Sequence, residues 1–366
     1  MAKLDVTVNG IQFPNPFVIG SGPPSTNARV ICRAFEAGWG GAVAKTVALT
    51  DTEVVNVTPR YGKLKSGDGG VYGFENIELI SDRPLEVWLD EFREVKDRFP
   101  DHVLIGSIME EAHKDRWQEV TERVQETGVD MLELNFSCPH GHPERKMGAA
   151  MGQVPEITCE VTEWVKEVAT VPVWVKMTPN VTDVTLPAEA AQKGGADGVA
   201  AINTILSCIG VDPKTLRPQP TVEGHSTYGG YSAAAVKPIA LRMVSEIARA
   251  MPGFPVSGIG GVMTAWDAIE HLLLGASTVQ VCTGVMLRGH KMVQDLIEGL
   301  EAFMDERGIE DVASLVGLSL PYLTTHHDLV DRQGKTRAVT KAARRSRDNQ
   351  WSAEIVKQTD ALTATD

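Results

Sequence analysis

Short apolar runs rich in β-branched residues recur along this chain, separated by stretches whose apolar positions fall every three to four residues. Eight runs stand out: Phe17–Ser21, Gly41–Val47, Val103–Ile108, Met131–Ser137, Val171–Thr178, Gly198–Thr204, Pro255–Gly261 and Thr278–Gly284. Near-continuous apolarity over such short spans predicts strands buried on both faces, as in a parallel sheet. Helical spacing covers Arg29–Ala37, Trp117–Thr127, Ile157–Ala169, Ala188–Lys193, Trp266–Leu274 and His290–Glu306, and another helix starts near Lys237. Several of these end at a glycine (Gly38, Gly128, Gly194, Gly275, Gly308), the usual helix stop. Eight such strands alternating with these helices predict an α/β fold, a single (β/α)8 TIM barrel. Ahead of it, Val6 and Val8, the turn pair Asn9-Gly10, then Ile11 and Phe13 predict a hairpin that plugs the closed end.

Two connections are long. Thr50–Pro100 holds the glycine-rich Lys65–Gly73 and then Phe74-Glu75-Asn76-Ile77-Glu78; Ile205–Pro252 holds Thr227-Tyr228-Gly229-Gly230-Tyr231-Ser232. They leave strands two and six at the end where such barrels carry their active sites, so they are expected as lid loops. The barrel is expected over residues 1–325 and a C-terminal tail over 326–366. Seven Lys or Arg fall within Arg332–Arg347, which reads either as a solvated tail or as a docking arm.

Composition narrows the class. With 366 residues and 43% hydrophobic content the chain can fill a barrel core, and a net charge of −13 argues against nucleic acid or an anionic membrane as partner. No apolar stretch approaches the roughly 18–20 residues of a membrane span, and Met1-Ala2-Lys3-Leu4-Asp5 lacks a signal peptide's apolar core. The expectation is a soluble cytoplasmic protein. Cys32, Cys138, Cys159, Cys208 and Cys282 are odd in number and scattered. That suits reduced thiols and excludes a conventional iron–sulfur cluster held by four cysteines within the chain. The pair His326-His327 is expected at the surface, and no metal site is expected.

A barrel gathers its strand ends on one face, and here that face collects Ser21, Lys45, Asn135, Cys138, Lys176, Asn203, Gly260, Gly261 and Thr283. The set suits a phosphate-bearing cofactor beside a small polar ring. Gly260-Gly261 and Cys282-Thr283-Gly284 follow strands seven and eight, where exposed backbone N–H groups bind phosphate in such folds. Lys45 and Lys176 end apolar strands, so each needs an anionic partner: a reduced, electron-rich cofactor, or a carboxylate closing the barrel mouth. Asn76, Glu78, Asn135, Asn203 and Thr204 match the alternating N–H and C=O pattern of a ureide ring, although Asn76 and Glu78 also suit a turn. Cys138, followed by the glycine-rich 141–152, is placed to deliver a proton, as addition across an activated C=C bond requires. A phosphate-binding barrel without redox chemistry, an aldolase or isomerase, is the alternative from another class.

Four stretches carry a family likeness: Asn135-Phe136-Ser137-Cys138-Pro139-His140-Gly141, Lys176-Met177-Thr178-Pro179-Asn180-Val181-Thr182-Asp183, Gly194-Gly195-Ala196-Asp197-Gly198-Val199 and Asn76-Ile77-Glu78-Leu79-Ile80. Over roughly residues 4–320 the chain resembles the dihydropyrimidine dehydrogenases, especially the catalytic subunit of the bacterial NAD-dependent form, within the class 1 dihydroorotate dehydrogenase superfamily. The resemblance implies an FMN barrel that reversibly reduces uracil or thymine, with hydride passing from FMN N5 to C6 and Cys138 giving the proton to C5. It places FMN contacts on Ser21, Lys45, Thr46, Asn135, Lys176, Asn203, Ser232, Gly260, Gly261, Cys282 and Thr283. Pyrimidine contacts fall on Asn76, Glu78, Asn135, Ser137, Asn203 and Thr204. Dihydroorotate or another cyclic enamide is the rival substrate within the same class.

The chain departs from the family at two points. Ser232 is followed by Ala233 where the family commonly has glycine, and no cysteine-rich ferredoxin-like segment follows the barrel. Electrons are therefore expected from a partner, an NAD(P)H-oxidising flavoprotein subunit carrying FAD and iron–sulfur clusters, within a homo- or hetero-oligomer.

Overall fold

The Asn9-Gly10 turn closes as the alternation around it requires. β1 (Val6–Val8) and β2 (Ile11–Phe13) pair antiparallel with Val8 opposite Ile11. The two turn residues take φ 52 and φ 79, the left-handed pair that a two-residue hairpin needs. The computed structural model describes residues 2–49, 54–136 and 149–339. Ser137, Cys138 and most of the basic tail lie outside the described residues.

β3 (Phe17–Ile19) and β4 (Gly41–Val43), joined by α1 (Ala28–Ala37), begin a parallel barrel. Asn27 caps α1 by accepting the Val30 N–H at 3.0 Å, and Gly38 ends it at φ 111, a conformation costly for any other residue. The first long connection then carries β5 (Tyr61–Lys65), β6 (Val71–Asn76) and α2 (Leu85–Arg98). Next come β7 (Val103–Ile108), α3 (Lys114–Gln125), β8 (Met131–Asn135), α4 (Ala149–Gly152), α5 (Pro155–Lys166), β9 (Val173–Lys176), α6 (Thr185–Lys193) and β10 (Gly198–Ala201). The second long connection carries β11 (Ile205–Ser207), β12 (Gly229–Ser232) and α7 (Lys237–Ala250). β13 (Val256–Ile259), α8 (Ala265–Leu273), β14 (Thr278–Val281), α9 (Thr283–Arg288) and α10 (Met292–Arg307) complete the barrel.

The eight strands close in the order β3-β4-β7-β8-β9-β10-β13-β14, and β14 pairs back to β3. Each lies between helices and barrel interior, so β7 is buried at all six positions. This is why the strands read as unbroken apolar runs. The hairpin sits at the N-terminal end: Trp174 Nε1 donates to Asn9 Oδ1 at 2.8 Å, and Asn9 Nδ2 donates to the Asp197 carbonyl at 2.8 Å. The chain divides into two units, Met1–Leu320 and Pro321–Asp366. α11 (His326–Val339) belongs to the second, and His326 and His327 at its start are exposed.

The two long connections are not free lid loops. β6 pairs with β12, Asn76 opposite Gly230 and Phe74 opposite Ser232, giving one antiparallel sheet in the order β11-β12-β6-β5. Buried Glu75 reaches over Gly229 to accept the Ser207 hydroxyl, so β6 is tied across β12 to β11. The first connection also contains a helix that the sequence reading passed over. Leu85, Trp88, Leu89, Phe92 and Val95 of α2 fall on one face and are buried, a helical period that was present in the sequence.

Candidate active site

At the C-terminal mouth of the barrel the strand ends and the antiparallel sheet line a cleft that is partly open to solvent. Ser21, Lys45, Thr46, Asn135, Lys176, Asn203, Ser232, Gly260, Gly261, Cys282 and Thr283 all line it, as do Asn76, Glu78 and Thr204. Every predicted site residue that is described thus lies in one cleft, with Asn76, Glu78 and Ser232 contributed by the two long connections and the others by the barrel. Ser137 and Cys138 lie outside the described residues.

The floor is polar. Residues two apart on a strand share a face, so Glu133 lies beneath Asn135 on β8, while Lys176 ends β9 and Gln280 sits on β14. Lys176 Nζ donates to Gln280 Oε1 at 2.8 Å and lies 3.4 Å from Glu133 Oε1; Gln280 Nε2 donates to Glu133 Oε2 at 2.8 Å. Beside them runs a hydroxyl chain. Thr46 Oγ1 stands 2.8 Å from Ser107 Oγ and 3.3 Å from Ser21 Oγ, and accepts Asn135 Nδ2 at 3.0 Å.

One wall is built around Glu78. Its two oxygens lie 3.2 Å from Lys45 Nζ and 3.2 Å from Arg60 Nε, and its side chain is only 7% exposed. Both cleft lysines therefore have carboxylate partners, and both still face the cleft. The carboxylate reading of these residues is what the structure shows: the pairs make cationic side chains tolerable inside the barrel, and both lysines still line the cleft. Asn76 Oδ1 accepts the Glu78 N–H at 3.3 Å and Asn76 Nδ2 donates to the Gly230 carbonyl at 3.2 Å, which fixes the Asn76–Glu78 edge against β12. Asn203 Oδ1 accepts the Thr204 N–H at 2.8 Å. Asn180 Oδ1 accepts the Leu206 N–H at 2.9 Å, so the segment after β9 braces β11.

The opposite end is shaped by glycine and hydroxyl groups. Gly261 takes φ 77, and a Cβ there would stand 2.5 Å from Lys237 Cβ and 2.6 Å from its backbone N. Only glycine lets this loop pass the start of α7. Ser232 Oγ and Thr283 Oγ1 are 2.8 Å apart, a pair of hydroxyls beside the two glycines. His271 of α8 is fully buried with Nε2 3.1 Å from the Gly260 carbonyl. A carbonyl only accepts, so Nε2 carries the proton; Nδ1 has no partner. Burial lowers the imidazole to about 4, which keeps it neutral. Cys282 is partly open to the cleft, yet desolvation pushes its thiol up to about 11 against the pull of Lys45 and Lys176. It stays a neutral thiol.

Ala233 gives the departure noted in the sequence a structural meaning. It adopts φ 75, ψ −166 on the cleft wall, a region populated almost only by glycine, at a strain of roughly 1–3 kcal/mol for other residues. The site also contains residues that reading strand ends had missed: Glu133, Gln280, Arg60, Tyr61, Phe74, Tyr231, Met263 and Met286. A polar residue inside an apolar strand, as in Leu132-Glu133-Leu134 and Val279-Gln280-Val281, was the available signal for the first two. Among the described residues, no group of three or more His, Cys, Asp or Glu is arranged to hold a metal ion. No described helix is long and apolar enough to cross a membrane.

The profile of the family described as dihydroorotate dehydrogenase matches residues 3–304. The chloroplastic dihydropyrimidine dehydrogenase (NADP(+)) of Arabidopsis thaliana is 53% identical over 99% of this chain and 88% of its own length. The NAD-dependent dihydropyrimidine dehydrogenase subunit PreA of Escherichia coli K12 is 42% identical, covering 89% of this chain and 79% of its own. The dihydroorotate dehydrogenase B (NAD(+)) catalytic subunit of Pyrococcus abyssi is 38% identical over 87% and 99%. Among solved structures, a dihydroorotate dehydrogenase of Eimeria tenella in complex with ferulenol superposes with a TM-score of 0.72 at 22% identity, covering 87% of this chain and 88% of that one. That last likeness establishes the fold.

Proposed function

The chain belongs to the dihydroorotate dehydrogenase family, and as an oxidoreductase of its dihydropyrimidine dehydrogenase kind we propose that it uses FMN to interconvert uracil or thymine and their 5,6-dihydro forms. The cleft's donor set fits such a cofactor. Backbone at Gly260 and Gly261 with the Ser232 and Thr283 hydroxyls would hold the phosphate. Ser21, Thr46, Asn135, Asn203, Cys282 and the two lysines would hold the rest, with ammonium N–H donors offered to the electron-rich edge of the ring. FMN held there would supply hydride chemistry at C6 of the pyrimidine.

The remaining steps fall to this chain's own residues. Asn76, Glu78, Asn135, Ser137, Asn203 and Thr204 would orient the ring, amide groups meeting its N–H and C=O groups and Glu78 accepting an N–H. Cys138 would give or take the proton at C5, next to the carbonyl that carries the developing negative charge. Cys282 is unsuited to that task, because a thiol held near 11 is a weak acid at neutral pH.

The single observation carrying the choice of substrate is the Glu78 wall. Lys45 and Arg60 are both committed to this carboxylate, so the ring-reading edge carries an anion whose nearest cations are already engaged. A neutral ureide can give an N–H to such an edge; a ring bearing its own carboxylate, such as orotate, meets two cations that Glu78 already engages.

Two relatives are named as subunits, which supports electron supply from a partner. We take that partner to be an NAD(P)H-oxidising subunit with FAD and iron–sulfur clusters. Purified protein should be yellow with stoichiometric FMN. After anaerobic photoreduction, uracil or thymine should reoxidise the flavin and orotate should not. Reoxidation by orotate alone would move the substrate to dihydroorotate, and a colourless protein that takes up no FMN would favour the barrel without redox chemistry. NADH or NADPH should drive turnover only once the partner is added.

A further inference from the structure

Barrel interiors are ordinarily filled with branched apolar side chains. Here a carboxylate, an ammonium and an amide (Glu133, Lys176 and Gln280) occupy the layer beneath the cleft, none more than 4% exposed. A buried charge is tolerated only when it is paired and its hydrogen-bonding groups are satisfied. The three close into a ring, with Lys176 Nζ to Gln280 Oε1 at 2.8 Å, Gln280 Nε2 to Glu133 Oε2 at 2.8 Å, and Lys176 Nζ to Glu133 Oε1 at 3.4 Å. Lysine has no acceptor and a carboxylate has no donor, so only one orientation of the Gln280 amide satisfies both neighbours. Two of the three Lys176 N–H groups are thereby used, on a side chain that lines the cleft floor.

Two consequences follow for anything bound above. The ammonium cannot swing, because it is held from β8 and β14 together. Its charge is also balanced from below by Glu133, so the ligand meets a directed N–H donor more than a net cation. We propose that Glu133 is a charge-balancing positioning residue that acts through Lys176 to lower the midpoint potential of the bound flavin, biasing the enzyme toward pyrimidine reduction. This rests on the cleft being the FMN site. Two-electron reduction places two electrons and one proton on the ring, leaving one extra negative charge. An unbalanced cation beneath would stabilise that state and hold the hydride back; a balanced one lets it go to the pyrimidine.

The test is the midpoint potential of bound FMN, measured by equilibration with a reference dye under anaerobic conditions. Glu133→Gln should keep FMN and favour its reduced form about tenfold or more, a positive shift of about 30 mV or more for a two-electron couple. Uracil reduction should slow relative to dihydrouracil oxidation. Glu133→Asp, which keeps the charge one methylene farther from Lys176, should shift the potential the same way by less, and it carries the test if Glu133→Gln does not fold. The double variant Glu133→Met with Lys176→Met, which removes the pair together, should lie closer to wild type than Glu133→Gln. A residue with a purely structural role would change the urea midpoint and leave the flavin potential alone. A potential unmoved, or shifted negative, in a yellow Glu133 variant overturns the proposal and leaves the FMN reading intact; wild-type protein that binds no FMN overturns both.

Discussion

Lowering the pH from 7 to 5 should cost the wild-type protein about 2 kcal/mol of stability that a His271→Gln variant retains. His271 is fully buried, donates from Nε2 to the Gly260 carbonyl, and has no partner for Nδ1. Protonation would place a charge in that pocket with nothing to receive the new N–H, and burial accordingly lowers the group from 6.5 to about 4. An unfolded chain takes up this proton near pH 6.5 and the folded one only near pH 4. Between those values the unfolded state binds more protons, so stability falls as the pH falls and is flat above about pH 7. A difference of about 2.5 pH units corresponds to about 3.4 kcal/mol in full, of which roughly 2 kcal/mol is lost by pH 5. Glutamine supplies an N–H to the same carbonyl and does not titrate, so the wild-type minus variant difference isolates the imidazole from every other group. Urea denaturation of both proteins at pH 7, 6 and 5 measures it. Parallel loss of stability in the two would refute the reasoning, as would a His271 NMR titration midpoint near 6.5.

The remaining predictions concern the cleft itself. Cys138→Ala and Cys138→Ser should keep FMN and lower turnover by roughly 10²–10⁴, the usual worth of a positioned acid–base group; stopped-flow reoxidation by uracil checks this, and near-normal rates would remove Cys138 from the mechanism. Glu78→Gln should weaken uracil binding by roughly tenfold or more, the loss of a charge-assisted hydrogen bond. Because it also releases Lys45 and Arg60, it should improve orotate binding, which flavin absorbance titrations would report. Gly261→Ala places a methyl 2.5 Å from Lys237 Cβ at φ 77, so it should release FMN and destabilise the protein by roughly 1–3 kcal/mol. Retention of wild-type flavin affinity would show that this loop does not shape the phosphate end.

The barrel was legible because parallel strands covered on both sides leave unbroken apolar runs, and all eight runs overlap a barrel strand. Seven of the eight were read too long, while Val103–Ile108 matches its strand: β4 stops at Val43, for example, and the chain beyond it carries Lys45 and Thr46 into the cleft lining. The antiparallel sheet could not be read. Asn76 meets Gly230 across a separation of 154 residues, and no local pattern encodes which distant strand an edge will find. Strand ends gave the site because the fold gathers them. The same focus passed over Glu133 and Gln280, which lie inside β8 and β14. Arg60 was missed for a different reason: it is placed at Glu78 by a sheet the sequence does not announce.

That sheet also couples two tasks that chemistry would keep apart. Asn76 and Phe74 on β6 face Gly230 and Ser232 on β12, so the edge proposed to read a pyrimidine and the hydroxyl that would meet a phosphate ride on one plate. A product leaving the cleft cannot lift a single strap. It would have to tilt the whole plate, and with it the Ser232 hydroxyl, or pass beside it. Trimming either insertion would strip hydrogen bonds from the other, so the two must lengthen, shorten and drift in step.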